Sequence, residues 1–364
     1  MRVFHVMASG DRGGGADHLA ALAPSLVRLG IECSAVVSSD GPLAGRLAGL
    51  GIPVVGLEMM RSRVDPAAVL GLKRLVRQQH PDLIHCHGTR AGFFAALSRP
   101  DPPLVYTVHG LAYRQGCGVV RRGMLLAAEA LACHAAAEVL SVSAADLEDL
   151  RRRHALSRDR GLHISNAVDT ERFSPGDRSA IRARLGLSSE SIVVGTVSRL
   201  VPQKSVGDLI DAVLACAGLN LVVVGDGPER CALEARAAHG SDRIQFLGSR
   251  DDVPDILKAL DIFALSSRWE GEPIALLEAM ATGLACVATA TSGAAEVLAD
   301  VRTGLLVEIG RPQAMAAALM RLAGDAPARR AMGEAARATV RGRSWGAVAA
   351  QIAAVYQRID RRRF

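Results

Sequence analysis

Glu270 and Glu278 bracket the segment Ser267-Arg268-Trp269-Glu270-Gly271-Glu272-Pro273-Ile274-Ala275-Leu276-Leu277-Glu278-Ala279-Met280. It follows a strand-like run, Ile262–Leu265, and enters an apolar helix that ends at Gly283. Pro273 suits a first helical position, where its missing N–H would be unpaired anyway. Glu270 is then on the loop and Glu278 inside the helix. Both lie near a helix N-terminus, whose free N–H groups and dipole favour an anion. Two carboxylates flanking an anion site suit a ligand that is part sugar and part phosphate.

Other chemistry-bearing residues also fall where strands are expected to end. In Gly195-Thr196-Val197-Ser198-Arg199-Leu200-Val201-Pro202-Gln203-Lys204, Arg199 and Lys204 offer a guanidinium fork and a point charge, a clamp suited to a diphosphate. Gly225-Asp226-Gly227-Pro228 reads as turn chemistry alone. Ser9-Gly10-Asp11-Arg12-Gly13-Gly14-Gly15 opens the first helix, and its glycines let backbone N–H groups approach a phosphate or sugar. It is not the dinucleotide fingerprint, because His18 stands where the third glycine belongs. His109, in Thr107-Val108-His109-Gly110, is a strand-end imidazole able to bond a sugar hydroxyl. In His85-Cys86-His87 the pleat is expected to send the two imidazoles to opposite faces, so no metal site is assigned. No Asp-x-Asp pair follows a strand end to hold a magnesium-bound diphosphate. Protein cations and a helix dipole would have to neutralise a leaving group instead. No nucleophile elbow, Ser/His/Asp order or Walker loop is present, which removes support for hydrolase and kinase chemistry.

These residues need strands to carry them. Short apolar runs alternate with amphipathic stretches along the chain, the pattern of parallel βαβ units. Strands are expected at Val3–Met7, Glu32–Val37, Val54–Leu57, Leu83–His85, Leu104–Val108 and Val139–Val142. A second set runs Ile192–Val197, Leu221–Val224, Ile244–Phe246, Ile262–Leu265, Cys286–Ala288 and Leu306–Val307. The reading is an α/β protein with two Rossmann-like, doubly wound domains facing across a cleft. Pro175-Gly176 and Ser188-Ser189 mark a boundary region between the sets. Domains are assigned to 1–170 and 171–343. Apolar Trp345, Val348, Ala349, Ile352 and Val355 give residues 344–364 a helical spacing, and the tail closes with Arg361-Arg362-Arg363.

Bulk properties agree. A chain of 364 residues suits two domains of ordinary size. Aromatics make up 3% against 49% hydrophobic residues, so the cores must be built from Ala, Val, Leu and Ile. The net charge is +6, and residues 1–165 hold 19 Lys and Arg against 14 Asp and Glu. That bias favours an acidic partner on the N-terminal half, such as a phosphorylated acceptor or an anionic membrane surface. Arg151-Arg152-Arg153-His154 with Arg158 and Arg160 is the densest basic stretch, with Arg121-Arg122 and Lys73-Arg74-Arg77 elsewhere. No aromatics interleave with these arginines, so no nucleic-acid partner is expected. Seven cysteines without CxxC pairs fit a reducing compartment. The N-terminus reads as a first strand rather than a leader, and no apolar run spans a membrane. A cytoplasmic protein, peripheral at most on the inner face of the membrane, is the expectation.

Taken in order, these motifs resemble the family 4 retaining glycosyltransferases of GT-B fold. Gly13-Gly14-Gly15-Ala16-Asp17-His18 looks like the family's N-terminal Gly-Gly-x-Glu region. Pro81-Asp82-Leu83-Ile84-His85-Cys86-His87 and Thr107-Val108-His109-Gly110 are similar to its His-x-His and His-Gly strands. Ile164-Ser165-Asn166-Ala167-Val168-Asp169 is similar to its turn into the second domain. Ser198-Arg199-Leu200 to Lys204, Gly225-Asp226-Gly227-Pro228-Glu229 and Phe246-Leu247-Gly248 to Asp252-Val253-Pro254 follow in order, and Glu270 to Glu278 resembles its Glu-x7-Glu signature.

The resemblance implies that Arg199 and Lys204 hold the donor diphosphate and Glu278 the ribose. It implies that Glu270, with backbone from Gly271 through Glu272 and Pro273 to Ile274, holds the transferred sugar. His109 would contact that sugar, Gly14 and Gly15 would lie near the phosphates, and Arg250 near the base. The C-terminal helix would cross back to the first domain. Three residues depart from the pattern. Glu272-Pro273 replaces the usual Phe-Gly and puts a further acid near the sugar. Ser165-Asn166-Ala167 replaces Pro-Asn-Gly, and Ser205 stands where glycine follows the lysine. The expected activity is metal-independent, cofactor-free, retaining transfer of a sugar from a UDP- or GDP-sugar to a sugar or lipid-linked acceptor, in envelope polysaccharide or glycolipid synthesis. A silent sugar-nucleotide or polysaccharide-binding protein and a nucleotide-sugar epimerase are the alternatives, and a nicotinamide dehydrogenase is disfavoured by His18.

Overall fold

The computed structural model describes residues 1–361 except 63, 115, 117, 154, 158, 159 and 241. His154 and Arg158 of the basic stretch, and Arg362 and Arg363 of the tail, lie outside the described residues. The chain divides into two compact units, Met1–Asn166 with Trp345–Phe364, and Ala167–Ser344. Each is built on one parallel sheet.

The first unit carries β1 (Arg2–Met7), β2 (Glu32–Val37), β3 (Val54–Gly56), β4 (Leu83–His87), β5 (Leu104–Val108), β6 (Glu138–Ser141) and β7 (Leu162–His163), in the order β3-β2-β1-β4-β5-β6-β7. β4 runs two residues further than the expected strand. β7 has only two residues, too short for a periodicity to register. In the second unit β8 (Ile192–Val197), β9 (Leu219–Val224), β10 (Ile244–Gly248), β11 (Ile262–Leu265), β12 (Ala285–Thr289) and β13 (Leu305–Val307) are ordered β10-β9-β8-β11-β12-β13. Strand order reverses between β1 and β4 and between β8 and β11. Open α/β sheets bind ligands outside the carboxyl ends at such points.

Strand alternation divides each sheet into two faces. In the second unit Val193, Val222, Phe263 and Cys286 enter one apolar core, and Val194, Leu221, Val223, Ile262 and Val287 enter another. Both faces are dry, as in parallel sheets covered by helices on both sides. The first unit is asymmetric. Phe4, Val6, Ile84, Cys86, Tyr106 and Val108 join a core with Phe94, Ala132 and Cys133 of the Thr89–Ser98 and Val119–Ala135 helices. The other face bears His5, His85, His87 and Thr107, all buried. The Gly14–Arg28 and Trp345–Arg361 helices pack together over that side of the unit, and Tyr356 reaches His85 at 2.5 Å.

On the apolar face of the first unit Glu129 is fully buried, on the Val119–Ala135 helix. It accepts hydrogen bonds from Tyr106 Oη at 2.6 Å and Thr89 Oγ1 at 2.7 Å. Burial outweighs these bonds and raises the carboxyl from 4.5 to about 7. The folded state therefore holds a proton more tightly than the unfolded chain. Its stabilisation is complete below pH 4.5 and is lost as pH rises through about 7. Glu129→Gln should gain thermal midpoint relative to wild type as pH is raised from about 5 to 8. A difference between the two proteins that stays constant across that range would refute the assignment.

Candidate functional site

At the carboxyl ends of β8 and β11 the structure brings Lys204 and Glu270 together. Lys204 Nζ donates to Glu270 Oε1, and Ser267 Oγ donates to the same oxygen at 2.6 Å. Glu270 is buried, so its charge needs these partners. Gln203 Nε2 donates to the Trp269 carbonyl at 2.9 Å, and Arg268 N to the Gln203 carbonyl at 2.8 Å. The β8 and β11 loops are thereby laced along their length. Arg199 is half-buried on the first of them, and its side chain has no hydrogen-bond or ion-pair partner among the described residues. With Lys204 and Glu270 offsetting each other, Arg199 supplies the net positive charge of this corner.

Lys204 is followed by a strained residue. Ser205 has φ 46° and ψ 42°, the left-handed region that glycine enters without cost. Its hydroxyl donates to Asp208 Oδ2 at 2.8 Å and accepts from Arg268 Nε at 3.2 Å. These bonds offset the strain of a side chain at a glycine-like position.

Glycines bring backbones into contact around the same loops. A Cβ on Gly293 would lie 1.3 Å from the Gly271 carbonyl oxygen. Neighbouring Ser292 Oγ donates to the Glu270 carbonyl at 3.0 Å. The Ser292–Val297 helix thus clamps the Glu270–Glu272 loop. Gly225, at φ 130°, and Gly227 stand against the Arg199 loop in the same way. Added Cβ atoms would meet the Ser198 carbonyl oxygen at 1.9 Å and the Leu200 carbonyl oxygen at 2.4 Å. Leu200 N donates to the Asp226 carbonyl at 2.9 Å. The Gly225–Pro228 segment is therefore more than a turn: it fixes the backbone that carries Arg199.

On this loop Glu272 has a partner of its own. It is buried and ion-paired to Arg343 at 2.6 Å, and Arg343 accepts a backbone bond from Val168 N at 3.2 Å. Pro273 caps the Ile274–Ala281 helix, one residue before the expected start, and Glu278 sits on that helix half-buried. Arg250 forms a bidentate pair with Asp252, both contacts 2.8 Å.

In the first unit Gly13, at φ 148° and ψ 170°, caps the Gly14–Arg28 helix in a conformation open only to glycine. A Cβ on Gly14 would meet nothing within 4 Å, and one on Gly15 would rest 3.6 Å from His109 Cδ2. His109 follows β5 and reaches His87 Nδ1 through Nε2 at 3.2 Å. The expectation that His85 and His87 point to opposite faces is overturned. Residues two apart on a strand share a face, and these rings stack at 4.3 Å. His5 pairs in register with His85 and joins them, and His18 meets His109 edge-on at 4.7 Å. Strand parity alone would have put His85 and His87 on one face, and Thr107 with His109 just beyond β5 on one face; the register then sets His5 beside His85 and His87 beside Thr107. Burial lowers His5 to about 3 and His18 to about 4, and holds His85, His87 and His109 well below the usual imidazole range. The rings are neutral near pH 7. Two groups, His5 with His85 and His87, and His18 with His87 and His109, have a nitrogen from each residue within 4.8 Å of the others. Both nitrogens of His85 already meet hydroxyls, Tyr356 at 2.5 Å and Thr107 at 2.6 Å.

Three arginines of the densest basic stretch have partners within the unit. Arg153 bonds Asp149 at 3.0 Å, Arg151 bonds the Gly161 carbonyl at 3.2 Å and Arg160 the Cys133 carbonyl at 2.9 Å.

Two doubly wound sheets with charged and glycine-rich loops at their switch points define the GT-B class of glycosyltransferase. HepE of Anabaena, in complex with UDP and glucose, aligns with a TM-score of 0.86 at 24% identity, over 98% of this chain and 99% of that one. WaaG, a glycosyltransferase involved in lipopolysaccharide biosynthesis, aligns at 0.79 and 18% identity, over 97% and 99%. In sequence, residues 12–172 match Glycosyltransferase Family 4 and residues 177–339 match Glycosyl transferases group 1. The D-inositol 3-phosphate glycosyltransferase of Corynebacterium glutamicum (strain R) is 30% identical over 387 residues, 96% of this chain and 92% of that protein. The UDP-Gal:alpha-D-GlcNAc-diphosphoundecaprenol alpha-1,3-galactosyltransferase of Escherichia coli is 30% identical over 279 residues, 72% and 71%. The chain belongs to this family of glycosyltransferases.

Gly293 provides a test of the clamp that needs no substrate. Gly293→Ala should cost about 1–3 kcal/mol, the scale of forced overpacking, because backbone rather than a flexible side chain must move. A thermal midpoint equal to wild type would show that the two loops do not touch.

Proposed function

We propose that the enzyme transfers a sugar from a nucleoside diphosphate donor to an acceptor hydroxyl with retention of configuration and without a metal ion. The observation that carries this reading is the pairing of Lys204 with Glu270 at the β8 and β11 switch point, with Arg199 on the same loop after β8. Arg199 and Lys204 take the diphosphate, aided by the N-terminus of the Ile274–Ala281 helix. Glu278 takes the ribose hydroxyls and Arg250 lines the base. Glu270, with the backbone from Gly271 to Ile274, positions the transferred sugar and is not a nucleophile. Its carboxylate already accepts from Lys204 and Ser267, which suits an acceptor of hydrogen bonds. His109, Gly14 and Gly15 are assigned to the same donor by the family resemblance.

Glu272 enters this scheme differently from the first expectation. Paired with Arg343, it holds the loop rather than the sugar. The reaction balances without a further base. The acceptor oxygen bonds the anomeric carbon on the face from which the phosphate leaves, the C–O bond to phosphate breaks, and a phosphate oxygen receives the acceptor proton. Protein cations stabilise the charge on the departing diphosphate.

Lys204→Ala and Arg199→Ala should each reduce turnover about 10²-fold or more, as when a donor to transition-state charge is removed. One nucleoside diphosphate among UDP, GDP and ADP should raise the thermal midpoint without added metal, and Glu278→Ala should abolish that shift. Near-normal turnover in both cation variants would sink the clamp. A panel without any shift would sink the donor site.

An acceptor in or on a membrane is favoured by the Val119–Ala135 helix. Val119 and Val120 are 89% and 78% exposed and Met124 49%, beside exposed Arg121 and Arg122. Apolar side chains among arginines suit the interface of an anionic bilayer. Among the described residues no helix is long and apolar enough to cross one. Val119→Glu with Val120→Glu should weaken co-sedimentation with phosphatidylglycerol-containing vesicles about tenfold or more, given the apolar area withdrawn from lipid. Unchanged sedimentation would remove this helix from the contact.

A further inference from the structure

The histidine face of the first unit contains a directed run of contacts. His109 Nε2 lies 3.2 Å from His87 Nδ1, and His87 Nε2 lies 3.1 Å from His5 Nδ1. At the far end His5 Nε2 is buried and has no partner. A neutral imidazole carries one N–H and one lone pair, on opposite nitrogens. Each contact holds one proton, so the run has one of two polarities, and choosing the proton at one end chooses it at the other.

In the first polarity His5 carries its proton on Nε2, where nothing receives it. Orphaned buried N–H groups are the rarest form of unpaired polar atom and cost the full desolvation of a donor. In the second, His5 Nδ1–H donates to His87 Nε2, His87 Nδ1–H donates to His109 Nε2, and His109 keeps its proton on Nδ1. His18 follows the same preference. Its Nδ1 faces Asn166 Oδ1 at 2.8 Å, so the nitrogen left buried and unpartnered is again a lone pair. His85 stays outside the run, held by Tyr356 and Thr107, and its ring stacks on His87 at 4.3 Å.

We propose that His5 and His87 are positioning residues that hold His109 in the Nδ1–H tautomer, so that His109 meets its ligand as a neutral hydrogen-bond donor. The functional part rests on His109 contacting the transferred sugar, as proposed above. Neither His5 nor His87 need touch substrate. A cation bound by His18, His87 and His109 would require lone pairs on nitrogens that here share a proton.

The test is a long-range 1H–15N spectrum of the full chain labelled with 15N-histidine, recorded without substrate. Wild type should show His109 protonated at Nδ1. In His5→Asn, whose amide N–H stands in for Nδ1–H, the tautomer should persist. In His5→Leu the Nε2–H form should rise to a comparable share. The kcat of His5→Leu should fall about five- to tenfold, the scale of one net hydrogen bond, with donor KM unchanged and recovery in His5→Asn. An Nε2–H or imidazolium His109 in wild type would overturn the relay. So would a tautomer that His5→Leu leaves unchanged, or stoichiometric Zn²⁺ uptake that shifts the His18, His87 and His109 signals. Wild type and His5→Asn decide the matter even where His5→Leu does not fold. The tautomer is read without substrate, so its failure sinks the relay and leaves transfer standing. Absence of transfer by wild type sinks the activity and leaves the relay.

Discussion

Backbone contact where no side chain fits is the constraint on which the second unit depends. Gly293 lies against the Gly271 carbonyl, and Gly225 and Gly227 lie against the carbonyls of Ser198 and Leu200. Strands set the direction of these loops only to their last residue. Beyond it, a loop holds its shape when its own polar backbone finds partners. Here those partners are other loops, approached closely enough that the spacing leaves little slack. Arg199 and Glu270 sit on the held segments, and charged groups act on a ligand with effect only when their positions are determined before it arrives.

The charges follow a related economy. Glu270 is buried, and an unpaired buried carboxylate would be costly. Lys204 satisfies it, and Ser267 shares the same oxygen. Arg199 has no side-chain partner among the described residues. Arg250 and Glu272, by contrast, are each engaged with a neighbour in their own unit. An acid beside the site can serve as a fastening as well as a recognition group, and Glu272 has a fastening in Arg343.

Much of this was legible in the chain. Apolar runs located most strands, because parallel strands buried on both faces leave continuous hydrophobic stretches. Strand ends then located Arg199, Glu270 and His109, because the site is built where strands stop. What escaped was long-range or short. β7 is too brief to have a period. The pairing of Glu272 with Arg343 spans 71 residues and that of His18 with Asn166 spans 148, so no local pattern announces either. Nothing in the local sequence around Gly293 announces the Gly271 carbonyl that lies against it. The histidines were a different case. Their strand parity was fully present in the sequence, and a correct count of alternation puts His85 and His87 on one side. Charge counts in the arginine-rich stretch do not reveal which charges already have partners, as Arg151, Arg153 and Arg160 do.

The first unit is made from two separated pieces of chain, Met1–Asn166 and Trp345–Phe364. Tyr356 bonds His85, and Arg358 pairs with Glu138, so the last helix completes a unit begun hundreds of residues earlier. Domains emerging from a ribosome usually fold in the order of their synthesis. This chain inverts that order. The continuous second unit is fully synthesised while the interrupted first unit still lacks the Trp345–Arg361 helix, and the polar face of β1, β4 and β5 stays without Tyr356 throughout. Nascent-chain quality control would therefore meet a finished interior segment followed by an N-terminal unit that closes only once the Trp345–Arg361 helix has emerged.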